Sequence, residues 1–133
     1  MKTILTALLL AFSFFSMGQS PDCSKYKNGT YSIKYDDYTL KIIRKGRNQT
    51  EISSNDGIKH KFKIKWLDEC TYTIRMKKGK EYRSTPKAYR DVVIKARITE
   101  TYETYYKLHV TSSDGLYSKE VKVKIFNSGW SSK

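Results

Sequence analysis

Lys59-His60-Lys61-Phe62-Lys63-Ile64-Lys65-Trp66 decides how the rest of the chain is read. Lysine occupies every odd position, and an aromatic, aliphatic or imidazole side chain every even one. A period of two belongs to a β-strand with one face in water and the other against a core. Asp56-Gly57 stands just before this stretch and Asp68-Glu69 just after it, both of them turn chemistry.

The same texture continues on either side. Strands are expected at about Thr30–Tyr35, Tyr38–Arg44, Asn48–Ser53, Ile58–Trp66, Tyr72–Lys77, Val92–Thr99, Tyr105–Thr111 and Glu120–Phe126. Asp36-Asp37, Gly46-Arg47, Asp56-Gly57 and Asp114-Gly115 mark tight connections between them. Lys78–Tyr89, with Gly79 and Pro86, reads as the longest loop, and helix is compatible with it. The fold class is therefore all-β: an antiparallel up-and-down meander that curls to hide its edges. Curling yields a small barrel or a strongly curved half-barrel.

The hairpin turns also set which side chains share a face. A two-residue turn at Asp36-Asp37 pairs Tyr35 with Tyr38, Ile33 with Leu40 and Tyr31 with Ile42, an apolar inner set. A turn at Gly46-Arg47 pairs Arg44 with Gln49 and Ile42 with Glu51. A two-residue turn at Asp56-Gly57 then pairs Glu51 with Phe62, Gln49 with Ile64 and Ser53 with His60. Arg44, Gln49, Glu51, Ser53 and His60 thus project inward beside Trp66 and the apolar core. Buried charge is costly unless it is paired or hydrogen-bonded. Three readings stay open: an Arg44–Glu51 ion pair that pins the register, a polar cluster lining a ligand cavity, or a register slip or bulge that turns Gln49 and Glu51 outward to solvent.

Ahead of these strands, Lys2 is followed by an apolar run from Ile4 to Phe15 and by Ser16-Met17-Gly18. That layout is a secretory signal, expected over residues 1–18, with one β-domain over 19–133. The apolar run is shorter than the roughly 20 residues of a membrane-spanning helix. Export to the periplasm or the medium follows. There, Cys23 and Cys70 are expected to form a disulfide, because both fall at the same end of the sheet.

The chain carries 26 Lys and Arg against 13 Asp and Glu, a formal net charge of +13. Such charge speaks of partners rather than of fold. An exported protein meets anionic glycan, lipopolysaccharide and membrane surfaces rather than nucleic acid. Lys59, Lys61, Lys63 and Lys65, joined by Lys122 and Lys124, form the candidate polyanion surface, and Tyr102, Tyr105 and Tyr106 could stack on sugars. Alternating lysines are equally the ordinary wet face of half-buried strands.

Catalysis needs a nucleophile with its base, a carboxylate pair or a metal cluster. His60 and His109 stand in strand patterns, the adjacent acids stand in turns, and no phosphate-binding loop, HExxH or GxSxG motif occurs. No catalytic residue, metal or cofactor is assigned, and the chain is expected to be a monomer without enzyme activity.

Asp22-Cys23-Ser24-Lys25-Tyr26-Lys27-Asn28-Gly29-Thr30-Tyr31, followed by Arg44, Gln49-Thr50-Glu51, Trp66 and Cys70-Thr71-Tyr72, resembles a group of small secreted proteins of flavobacteria and relatives whose activity is uncharacterised. The resemblance covers about Asp22 to Ile74. It implies export and the Cys23–Cys70 pair, and it implies no activity. Some members carry a "DNA topoisomerase IV" label, which nothing in this chain supports. Gly29-Thr30-Tyr31 is also similar to the Gly-x-Trp opening of lipocalins, with Tyr31 in place of Trp. That likeness implies a barrel holding a small amphiphile. The competing readings are a basic surface module for anionic glycan or lipopolysaccharide, and an inhibitor acting through the Lys78–Tyr89 loop.

Overall fold

The computed structural model describes residues 21–126, so the expected signal at residues 1–18 lies outside the described residues. One turn of 3-10 helix, Ser24–Tyr26, precedes strands β1 (Gly29–Lys34), β2 (Thr39–Lys45), β3 (Asn48–Ser53), β4 (Lys59–Trp66) and β5 (Thr71–Met76). Two short helices, α1 (Lys80–Ser84) and α2 (Lys87–Arg90), occupy the long connection to β6 (Ile94–Thr101), β7 (Tyr105–Ser112) and β8 (Ser118–Ile125).

Each strand pairs antiparallel with the next, and β8 returns to β1 through Tyr31 opposite Ile125 and Ser32 opposite Lys124. The sheet is a closed eight-stranded meander barrel, not a half-barrel. Closure removes every free edge. Inward positions hold Tyr31, Ile33, Ile42, Ile64, Tyr72, Ile74, Ala96, Ile98, Tyr106, Leu108, Val121 and Val123, all buried. The alternate positions of β4 hold exposed lysines. Each fully buried aliphatic or aromatic side chain contributes roughly 1.5–3 kcal/mol, so this interior is the main source of stability.

The first two hairpins have the expected registers. Tyr35 N–H donates to Tyr38 O at 2.8 Å across Asp36-Asp37, and Gly46, at φ +60°, turns β2 into β3 with Arg44 opposite Gln49. The third register is displaced by two residues. Glu51 stands opposite His60 rather than Phe62, and Gln49 opposite Phe62 rather than Ile64. Ser53 meets Ile58 rather than His60, its N–H donating to Ile58 O at 3.3 Å. The cause is a wider loop, Ser54–Gly57. Gly57 N–H bonds Ser53 O at 2.9 Å, and the Asp56 carboxylate accepts from Ile58 N–H at 2.9 Å. A shift of two preserves parity, so the inner set still faces inward.

One end of the barrel is sealed. Cys23 and Cys70 are joined with their Cα atoms 5.2 Å apart, tying the segment before β1 to the β4–β5 turn. Gly29 makes this join tight. Its φ is +136°, and a Cβ there would lie 2.8 Å from the Tyr31 hydroxyl, which itself donates to Asn28 O at 2.7 Å. Only glycine lets the chain enter β1 beside that ring.

Candidate functional site

Arg44, near the end of β2, is 2% exposed and points into the sealed end. Its Nε donates to Gln49 Oε1 at 3.0 Å, and Nη1 to Tyr26 O at 2.8 Å and the Tyr106 hydroxyl at 3.4 Å. Nη2 reaches the Tyr72 hydroxyl at 3.1 Å. The guanidinium carbon also lies 4.8 Å from the ring centroids of both Tyr31 and Tyr72, and 6.0 Å from that of Trp66. Neutral oxygens and ring faces thus replace water around a buried cation. Burial and the tyrosine charges beside it hold the Tyr106 phenol well above its usual range, although Arg44 pulls the other way.

Gln49 and Glu51, on β3, extend the polar line along the interior, but the expected ion pair does not form. Among the described residues the ion pairs are Arg90–Asp91 and Lys107–Glu100, both on the surface. The donors of Arg44 are directed to Gln49 and the tyrosines instead. Glu51 faces a cavity of about 350 Å3 whose walls include Ile33, Tyr35, Phe62, Ile74, Leu108 and Val110. Gln49 and Glu51 provide its polar amide and carboxyl groups. Burial pushes the Glu51 carboxyl up to about 7, with Arg44 pulling in the opposite direction. Glu51 keeps partial accessibility, on the side that lines the cavity. Burial likewise pushes the Tyr35 phenol up to about 12, with Tyr117, Tyr38 and Glu51 adding to it.

The strand registers place this cavity toward the end that carries Asp36-Asp37, the Ser54–Gly57 loop and the β7–β8 turn. Tyr35 and Tyr38 stack there at 4.9 Å, and Tyr117 is 39% exposed. The lumen is thus plugged at one end by Arg44 and lined at the other by half-exposed tyrosines.

The remaining sequence candidates are distributed differently. Arg44 is walled off from the cavity by Gln49 and the tyrosines. Trp66 packs on Tyr72 at the sealed end, at 4.8 Å, with its Nε1 buried and without a hydrogen-bond partner. His60 stands across from Glu51 with a buried, unpartnered Nδ1. Ser53 bonds the Asn55 side chain at the rim. Tyr26, Tyr72 and Tyr106, the oxygen partners of Arg44, were not singled out as a set by sequence reading. Tyr26 and Tyr72 stood in the motifs flanking Cys23 and Cys70, and Tyr106 was expected on the outer face as a stacking group, whereas all three are buried around the guanidinium.

The lysines do not form one surface either. Lys59, Lys61, Lys63 and Lys65 are exposed on β4, whereas Lys122 and Lys124 are on β8, halfway round an eight-stranded ring. The first group is continued by Arg75, opposite Lys63, and by Lys95 and Arg97 on β6. The second is joined by Lys34. Tyr106 is fully buried, and Tyr102 stacks on Tyr105 at 4.4 Å, so the three tyrosines are not a common platform. A larger concavity, about 730 Å3, lies beside Gly46, Arg47, Lys63, Lys65 and Arg75. Its walls combine the cations Arg47, Lys63, Lys65 and Arg75 with Ile64, Trp66 and Thr73, on the outside of the barrel rather than in the lumen.

Among the described residues no cluster of three or more His, Cys, Asp or Glu could hold a metal, and no helix is long and apolar enough to cross a membrane. No protein-family model, curated protein or solved structure matches the chain.

Proposed function

We propose that this chain is an exported, non-enzymatic barrel that holds a small amphiphile in its lumen. The observation that carries the reading is the cavity of about 350 Å3, apolar on most sides and polar at Gln49 and Glu51. Its size falls at the lower end of the roughly 300–1,000 Å3 of small-molecule pockets. Taking about 30 Å3 for a water-sized group, it accommodates on the order of ten non-hydrogen atoms. The Cys23–Cys70 bond supports an oxidising compartment, periplasmic or extracellular.

Native mass spectrometry of protein purified from its host without denaturation tests this. A retained small molecule is expected, and it should be lost from Val110→Trp, which fills the cavity wall. Retention by both proteins would place the ligand elsewhere, and a clean apo mass would remove the reading.

A second reading rests on the outer face of β4–β6, where Lys59, Lys61, Lys63, Lys65, Arg75, Lys95 and Arg97 are all exposed. None of them joins an ion pair among the described residues. A face of that sign suits anionic glycan or lipopolysaccharide, with binding that weakens steeply as salt rises.

A further inference from the structure

Resting on the lumen reading, we infer that the cavity selects an apolar molecule ending in a protonated amine or a similar N–H cation, seated on the Glu51 carboxylate. Glu51 is the acidic side chain in a wall otherwise built from aliphatic and aromatic groups and Gln49. Arg44, diagonally across on β2, spends its donors on Gln49, Tyr26, Tyr72 and Tyr106. Glu51 is therefore left without a hydrogen-bond donor or an ion-pair partner among the described residues. A carboxylate in such a place is stabilised by whatever donor arrives in the cavity.

Other headgroups fit less well. An anionic head would sit beside Glu51, with Arg44 sealed behind side chains. A hydroxyl would satisfy one lone pair and leave the charge uncompensated. An ammonium brings both opposite charge and several donors. Gln49 Oε1 is already occupied by Arg44 Nε, so its amide is held in place at the base of the same cavity. The excess of cations over the chain, +13 in formal charge, repels a cation at long range. That repulsion is screened beyond about 8 Å at physiological salt and acts mainly on the association rate.

The groups facing Glu51 determine how pH enters. They are Arg44 on β2, His60 directly opposite on β4, Tyr72 on β5, Tyr35 just after β1, Tyr38 just before β2 and Tyr117 just before β8. With the carboxyl raised to about 7 by burial, the empty lumen holds a proton at acid pH. The cation must displace that proton. Its affinity should then fall about tenfold for each pH unit below 7.

The experiment is calorimetric titration of the disulfide-bonded protein with n-octylamine, 1-octanol and octanoate at pH 8, then with octylamine down to pH 5. Octylamine is expected to bind at least tenfold tighter than either of the others. Glu51→Gln should reduce the amine to the level of the alcohol on wild type and abolish the pH slope, whereas His60→Gln should keep the slope. Thermal unfolding checks that both variants are folded. If octanol or octanoate binds as tightly as the amine, or if the slope survives in E51Q, the cation inference fails and the lumen reading stands. If none of the three probes binds, the lumen reading fails with it.

Discussion

Arg44 and Glu51 stand on neighbouring strands, face the same interior and do not form an ion pair. The cation is satisfied by four neutral oxygens and two tyrosine faces, and the carboxyl turns to a cavity. Buried opposite charges ordinarily neutralise one another at close range. Here they are separated, which divides the interior into a structural end and an end with unspent chemistry.

Arg44→Ala should be the most damaging single change at the sealed end. It leaves two phenols, an amide and a carbonyl without their partner and opens a void among the rings. The expected loss is about 3 kcal/mol or more in urea unfolding. Arg44→Lys should recover little of it, because one ammonium does not reproduce the fork that reaches Gln49, Tyr26 and Tyr72 together.

Glu51 should make the protein less stable as pH rises. Its folded carboxyl lies near 7, above the 4.5 of an unperturbed glutamate, so the native state binds the extra proton between those values. Stability is then full below about pH 4.5 on this account, and declines as pH rises through about 7. The decline is on the order of 2 kcal/mol after allowance for the partial accessibility of the group. Glu51→Gln should flatten this part of the profile and be the more stable protein at pH 8. A wild-type stability that rises from pH 5 to 8, with E51Q tracking it, would contradict the assignment.

Replacing Cys23 and Cys70 by Ser should lower stability by about 4 kcal/mol for a loop of 47 residues, in the chain-entropy account of disulfides. It also frees the segment whose Tyr26 carbonyl holds Arg44. Enhanced proteolysis before β1, at temperatures where β4–β8 remain protected, is the accompanying signature.

Gly29→Ala should cost about 1–3 kcal/mol, from a strained φ together with the 2.8 Å approach to the Tyr31 hydroxyl. The double change Gly29→Ala with Tyr31→Phe should recover part of this loss by removing the obstructing oxygen. Additive losses would show that the backbone angle alone is responsible.

On an immobilised sulfated polysaccharide, Lys61→Glu with Lys63→Glu should elute at lower salt than Lys122→Glu with Lys124→Glu. Each pair changes net charge equally, but the first breaks the larger face over β4–β6. Equal elution of the two would mean that net charge, not a face, governs retention.

The eight strands were legible in the sequence because alternation is local: Lys59–Trp66 declares its two faces without reference to anything distant. The Tyr35–Tyr38 and Arg44–Gln49 registers were legible for the same reason, each being fixed by a two-residue turn. The register after Ser53 was missed because Asp56-Gly57 is only half of its loop. The Gly57 N–H reaches back to Ser53 O, and this choice depends on how the strands on either side pack. The inward direction of Arg44 and Glu51 followed from parity. Their separate fates did not, since the acceptors Tyr72 and Tyr106 lie 28 and 62 residues from Arg44. The opposition of β4 and β8 was implicit in counting strands round a ring, yet a list of lysines does not display it.

The covalent clasp, the arginine and its tyrosines all lie at one rim. Tyr35, Tyr38 and Tyr117, at the opposite rim, take no part in that network. If the lumen holds a ligand as proposed, a library randomised at Tyr35, Tyr38 and Tyr117 should change which molecule is held while the Arg44 end stays in place.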